Sequence, residues 1–325
     1  MVTELRLDPL SGRWAAIRPQ RADRPDAFVD RTPWPTEQRS NCPFCKEHAD
    51  DEQVLAETTE NGNWTSRVVA NRYPAFDTDE PFVVFNKGPV FTEATAGGTH
   101  EVVVFTPDHD KSFAELSDGE VADAMSLLKE RLTAHAATKN LRYAQVIINA
   151  GREAGASVEH PHGQLLGISF VPRDLAEEQG QFSRFVAGCL LCVAIDAETA
   201  SGRRTVLDTP HALVVAPYWS SVPYEMLLLP RNHGTHVHQE DETTLTGIGL
   251  AIRDALATLK RTVGNVAYNV VLHSAPYNHG EPFHWHVHLW PKATTRAGFE
   301  MGTGVSINVM PPEVAAEQLR SNLQA

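Results

Sequence analysis

His160-Pro-His162-Gly-Gln164 returns as His284-Trp-His286-Val-His288, and each leading pair of histidines lies 124 positions from its counterpart. His109 and His233 are separated by the same 124 positions. Three equal offsets are the trace of an internal repeat, in which one supersecondary plan is used twice. Upstream, Cys42 and Cys45 map onto Cys189 and Cys192 at an offset of 147, so the first half carries 23 additional residues between its cysteines and its first histidine. These fall within Asp50 to Gly98, a polar stretch rich in Gly, Pro and Thr.

The segments around the histidines repeat as well. Val121, Met125, Leu128 and Leu132 recur at helical spacing behind a capping box from Ser117 to Glu120. Leu245, Ile248, Ile252, Leu256 and Leu259 give the second half its own helix. Each helix is followed by a β-rich run, Tyr143 to Asn149 and Val266 to His273, then by a loop and the histidines. This order predicts an α+β fold, duplicated, with antiparallel sheets and flanking helices. The boundary is expected near Asp174, after a strand at Leu165 to Val171, giving halves 1–173 and 174–325.

A length of 325 residues favours two units at ~150 residues each. The 42% hydrophobic and 21% charged residues are those of a globular chain. A formal charge of -13 argues against nucleic acid or an anionic membrane as partner, because both need a basic surface. Met1 to Trp14 carries Glu4, Arg6, Asp8 and Arg13 and so lacks the apolar core of a signal peptide. No run reaches transmembrane length. A cytoplasmic location is expected, where four cysteines are better read as metal ligands or free thiols than as disulfides.

Cys42-Pro-Phe-Cys45 with His109 and His160 makes one Cys2His2 set, and Cys189-Leu-Leu-Cys192 with His233 and His284 repeats it. Two thiolates and two imidazoles suit structural zinc, whose closed shell leaves no open position for chemistry. Buried cysteines that merely pack are the plainer reading of such pairs. That reading leaves the repeated spacing unexplained, although Phe185 to Ile195 is apolar enough to form a buried helix.

Residues two apart on a strand share a face, so His160, His162 and Gln164 point together, as do His284, His286 and His288. With His160 tied to zinc, His162 is held rigidly with its imidazole free, and Gln164 can donate to a phosphoryl oxygen. A neutral imidazole can attack an α-phosphorus and carry the nucleotide between two displacements. Backbone N–H groups in Asn149 to Ser157, with glycines at 151 and 155, could stabilise the charge that develops.

Gly155-Ala-Ser-Val-Glu-His-Pro-His-Gly-Gln164 closely resembles the active-site signature of the galactose-1-phosphate uridylyltransferase family, within the histidine-triad superfamily. Asp8-Pro-Leu-Ser-Gly-Arg-Trp14, Arg18-Pro-Gln-Arg-Ala-Asp-Arg-Pro25 and Thr106-Pro-Asp-His109 extend the likeness over most of the chain. The resemblance implies a histidine-triad-like fold, His162 as the nucleotidylated residue and Gln164 as its phosphate partner. It implies nucleotide contacts from Arg21, Arg24, Asn71, Asn149, Gly155 and Ser157, and a sugar contact from Glu300. It further implies a homodimer, and a metal, zinc or iron, on Glu178, His273, His286 and His288, with Glu177 as a neighbouring substitute for Glu178.

The signatures of two branches are mixed here. The Cys189 set resembles plant relatives that transfer AMP from ADP-glucose, whereas the Glu178 set resembles the bacterial uridylyltransferases. Arg72 stands where the latter have aspartate, and the stretch after Glu300 looks like the plant and archaeal branch. The leading expectation is transfer of UMP from UDP-glucose to galactose 1-phosphate. Its rivals are an adenylyltransferase or phosphorylase acting on ADP-glucose or a dinucleoside polyphosphate, and a non-catalytic zinc module that binds nucleotides.

Overall fold

Ser117 opens the first long helix as its sequence predicts: its Oγ accepts from the Glu120 N–H, and Glu120 Oε2 accepts from the Ser117 N–H at 2.8 Å. That helix, α1, runs Asp118–Ala137 and buries Val121, Met125, Leu128 and Leu132. Its counterpart α4, Glu242–Val263, is capped by Asp241 and buries Leu245, Ile248, Ile252, Leu256 and Leu259. The two helices pack against each other where Gly249 meets α1. A Cβ added there would come within 2.6 Å of Met125 Cγ and 2.7 Å of Val121 Cγ1.

The computed structural model describes residues 4–23, 42–45, 53–95, 97–278, 280 and 282–323. Arg24 lies outside them. The first half supplies β1 (Glu4–Leu7), β2 (Trp14–Ile17), β3 (Val54–Glu60), β4 (Asn63–Ala70), β5 (Val84–Asn86), β6 (Thr92–Ala94), β7 (Gly98–Val104), β8 (Tyr143–Ala150) and β9 (His162–Ile168). After α2 (Arg173–Arg184) and α3 (Leu190–Ser201) come β10 (Thr205–Asp208), β11 (Ala212–Val215), β12 (Met226–Pro230), β13 (Tyr268–His273) and β14 (His286–Pro291). The chain closes with α5 (Gly298–Thr303), β15 (Ser306–Asn308), which pairs in parallel with β2, and α6 (Pro312–Ser321).

Ten strands form one antiparallel sheet in the order β10-β11-β12-β14-β13-β8-β9-β7-β4-β3. The order is a mirror: five strands from each half, read outward from the β13–β8 seam. At that seam Ile147 pairs with Val271, its own equivalent 124 positions on. The apolar cluster between sheet and helices also draws on both halves. The α+β class with antiparallel sheets and flanking helices is what the duplicated sequence predicts. The extra residues of the first half fall mostly between β4 and β7, where 27 residues including the β5–β6 hairpin stand against ten between β11 and β12.

β9 starts earlier and ends earlier than the run Leu165 to Val171 suggests. Its ladder with β7 begins at His162, opposite Val104, because Pro161 has no N–H to give. By alternation, Val103 and Leu165 face the helices, while Val102 and Val104 turn to the other face with Trp64, Val69 and Phe44. His162 and Gln164, paired with Val104 and Val102, share that second face.

Candidate active site and metal centres

His162 Nδ1 lies 2.7 Å from the His160 carbonyl. A carbonyl only accepts, so Nδ1 carries the proton and Nε2 keeps its lone pair. Burial pushes the imidazole below its ordinary pKa, which the hydrogen bond to the His160 carbonyl only partly offsets. The ring is 7% exposed and packs against Phe44, from the middle of the Cys-Pro-Phe-Cys turn, at 5.2 Å between centroids. Nothing in the sequence beyond adjacency to the cysteines marks Phe44 for this place.

The groups around His162 come from both halves. β8 places Ile147 opposite Gln164, so Asn149 falls beside His162 on the same face. Asn149 Oδ1 accepts from Asn269 of β13 at 2.7 Å, and the same Asn269 amide donates to the Ala154 carbonyl at 2.8 Å. Gln164 Oε1 lies 2.8 Å from His100 Nε2, and Asn71 Nδ2 lies 3.1 Å from the same nitrogen. Gly151 and Gly155, at φ of 88° and 86°, bend the chain between Asn149 and His160 through backbone that favours glycine. At Gly151 a Cβ would also strike Ala267 at 2.5 Å.

Ser157 is exposed on this loop, and Arg21 is exposed on a short 3-10 turn at Pro19–Asp23. Glu300 sits in α5, where its Oε2 accepts from the Ala297 N–H at 3.0 Å. Among the described residues no hydrogen bond joins Arg21, Ser157 or Glu300 to the His162 row. His100 and Asn269 are the residues that sequence reading misses.

Three groups of side chains converge as metal ligands would, the ligand atoms of each lying within 4.8 Å of one another. In the first, Cys45 Sγ stands 3.3 Å from His109 Nδ1 and 3.8 Å from His160 Nδ1, and Cys42 completes the set. A tetrahedral zinc with ordinary Zn–S and Zn–N bonds separates sulfur from nitrogen by about 3.6 Å. The donor set therefore fits that ion. His160 Nε2 donates to the Thr106 carbonyl at 2.8 Å, which leaves Nδ1 as the ligand atom. Burial pushes His160 down to about 4, keeping it in the neutral form that binds metal.

The second group repeats this on the other half. Cys189 Sγ and Cys192 Sγ lie 3.5 Å from His284 Nδ1, and Cys192 Sγ lies 3.6 Å from His233 Nδ1. His284 Nε2 donates to the Pro230 carbonyl at 3.1 Å. The apolar stretch around the cysteines does contain a helix, α3, but Cys189 is its N-cap and Cys192 lies in its first turn. Helix and ligand pair are thus the same feature.

The third group occupies the positions equivalent to His162 and Gln164. His286 Nδ1 donates to the His284 carbonyl at 2.9 Å, as His162 does to His160. Its Nε2 then meets Glu178 Oε1 at 2.8 Å and His288 Nε2 at 3.1 Å, while Glu178 Oε2 lies 2.8 Å from His273 Nδ1. Several acceptors thus face one another in a buried space, which calls for a cation. Without a metal that cation is a proton, and although burial opposes it, Glu178 raises the His286 pKa. Glu177 is not part of this cluster and instead pairs with Arg173 on the helix surface.

Residues 1–172 match the family model for galactose-1-phosphate uridyl transferase, N-terminal domain, and residues 177–325 match that for its C-terminal domain. The chain belongs to the galactose-1-phosphate uridyl transferase family. It is accordingly a transferase, as the His-Pro-His-Gly-Gln resemblance implies. An ADP-glucose phosphorylase of Arabidopsis thaliana is 29% identical over 98% of this chain and 92% of its own length. A galactose-1-phosphate uridylyltransferase of Haemophilus influenzae is 29% identical over 97% of this chain and 93% of its own.

The crystal structure of an Arabidopsis ADP-glucose phosphorylase with bound ADP-glucose superposes with a TM-score of 0.83, at 26% identity, over 98% of both chains. A uridylyltransferase structure shares the fold of this family member at a TM-score of 0.76 and 24% identity, over 99% of this chain and 98% of its own. No helix among the described residues is long and apolar enough to cross a membrane.

Proposed function

We propose that the protein is a nucleotidylyltransferase that moves UMP from UDP-glucose to galactose 1-phosphate through a nucleotidyl-histidine at His162. The observation that carries this reading is the hydrogen bond from His162 Nδ1 to the His160 carbonyl, which leaves Nε2 as a buried, oriented lone pair. In the first displacement Nε2 attacks the α-phosphorus, and the P–O bond to glucose 1-phosphate breaks with its electron pair leaving on that oxygen. In the second, a phosphate oxygen of galactose 1-phosphate attacks the same phosphorus and the N–P electron pair returns to Nε2. The leaving phosphate, with a second pKa of about 6, needs no general acid.

The protein's part is therefore to position and to offset charge. Gln164 and Asn149 supply amide donors to the transferred phosphoryl group, and Gly155 and Ser157 contribute the loop. Arg21 and Arg24 neutralise phosphates, Asn71 contacts the nucleotide, and Glu300 receives the sugar. Zinc on Cys42, Cys45, His109 and His160 supplies a rigid anchor for the strand that carries His162, and Cys189, Cys192, His233 and His284 hold a second structural zinc. Glu178, His273, His286 and His288 hold zinc or iron away from the reaction. Thiolate ligands suit a reducing compartment, the cytoplasm. The chain divides at 173/174 and works as a homodimer, for which sedimentation showing a monomer with full activity is the contrary result.

A second reading, transfer of AMP from ADP-glucose, is favoured by the preformed Cys189 cluster and by the likeness to the ADP-glucose phosphorylase. Both are tested by mixing the protein with UDP-glucose or ADP-glucose labelled at the α-phosphate and isolating protein-bound label under alkaline denaturing conditions. Label on His162 from UDP-glucose is the expected result. Label from ADP-glucose alone would replace UMP by AMP, and no label from either would leave a nucleotide-binding zinc module.

A further inference from the structure

Two hydrogen-bond relays end beside His162, and a backbone group fixes the direction of each. In the first, the Ala75 N–H donates to His100 Nδ1 at 3.1 Å. A ring nitrogen that accepts a hydrogen bond bears no proton, so the proton of His100 sits on Nε2 and is donated to Gln164 Oε1 at 2.8 Å. With its oxygen so engaged, Gln164 must present its NH2 elsewhere, and among the described residues that NH2 has no protein acceptor. Asn71 does not compete for the His100 proton. Its Oδ1 accepts from the Tyr73 N–H at 2.8 Å, so the atom it turns to His100 is another donor.

In the second relay the Ala154 carbonyl can only accept, which identifies the Asn269 atom 2.8 Å away as Nδ2. The same NH2 donates to Asn149 Oδ1 at 2.7 Å. Asn149 must then turn its own NH2 outward, again with no protein acceptor among the described residues. Freed of these partners, either amide could rotate by half a turn and set an oxygen where a donor stood. An anion beside His162 would be repelled by that oxygen.

We propose that His100 and Asn269 are positioning residues that set the polarity of the site, each holding one amide with its NH2 toward the phosphoryl group carried by His162. The proposal rests on His162 as nucleotide carrier and Gln164 as its phosphate partner. His100 acts through Gln164 and reports the state of the Asn71–Ala75 segment to it; Asn269 acts through Asn149 and ties the second half to the loop of the first.

The test is a pair of double-mutant cycles, read by the single-turnover rate of nucleotide transfer to His162, by KM, by melting temperature and by zinc content. Gln164→Ala should slow transfer by about 10²–10³-fold, as loss of a donor to developing charge does. His100→Ala should slow it by about 10–100-fold, the range for residues that orient a reacting group, with KM little changed. In the Gln164→Ala background His100→Ala should add nothing, and Asn269→Ala should likewise add nothing to Asn149→Ala.

His100→Gln places an N–H where Nε2 stands and should keep most of the rate, whereas His100→Asn should not; this pair decides the matter if His100→Ala melts early. Additive losses in both cycles, or His100→Asn outperforming His100→Gln, would overturn the proposal while leaving Gln164 its role. A harmless Gln164→Ala would overturn the reading beneath it, and the proposal with it.

Discussion

Glycine in place of His162 takes away the nitrogen proposed to attack phosphorus, but neither one of the converging metal-ligand side chains nor a strand pairing. His162→Gly should therefore abolish transfer while zinc content and melting temperature stay close to wild type, and added imidazole should restore part of the rate from the vacated space. His160→Ala should fail differently, losing zinc from the first half and loosening the fold. Normal label exchange in His162→Gly without imidazole would show that another residue carries the nucleotide. The convergence of the Cys and His sets was legible because metal chemistry accepts few residue types, so their repeat survives as spacing. His100 and Asn269 were not: a hydrogen bond to a side chain 64 or 120 positions away on another strand imposes no local pattern.

The helices were the most readable elements, since a capping box and a buried stripe at 3.6-residue spacing are both local signals. What α1 and α4 do to each other was not readable. Gly249 looks like a helix-weakening residue in sequence, yet it is what lets the two helices approach, with Met125 and Val121 filling the space a side chain would need. Gly249→Leu should lower stability by about 1–3 kcal/mol, the usual cost of overpacking. Met125→Ala in the same chain should recover part of it, measured by thermal or denaturant unfolding. An unchanged melting temperature in Gly249→Leu would mean the helices separate without cost. β9 shows the opposite case: its apolar run was visible, but its start at His162 was set by the missing N–H of Pro161.

At the scale of the whole molecule, chain length favoured two units, whereas the ten strands and the main apolar core run through both halves. Strand order is a matter of long-range pairing, which composition and periodicity do not encode. Because the β8–β13 seam lies at the centre of the sheet, neither half can unfold without leaving the other an open edge. Calorimetry of the zinc-loaded protein should give one unfolding transition, and two resolved transitions would show that the halves melt separately.

The seam also speaks to descent. Ile147 facing Val271, its own repeat equivalent, is the central pair that two identical half-length chains would make across a two-fold axis. Such a pair of chains would carry two equal histidine sites, and a single joined chain is under no obligation to keep both alike. One copy of the histidine pair, packed against Phe44, still has two outward-turned amides beside it. The other has Glu178 closed over it, its carboxylate 2.8 Å from the nitrogen equivalent to the one left open at His162.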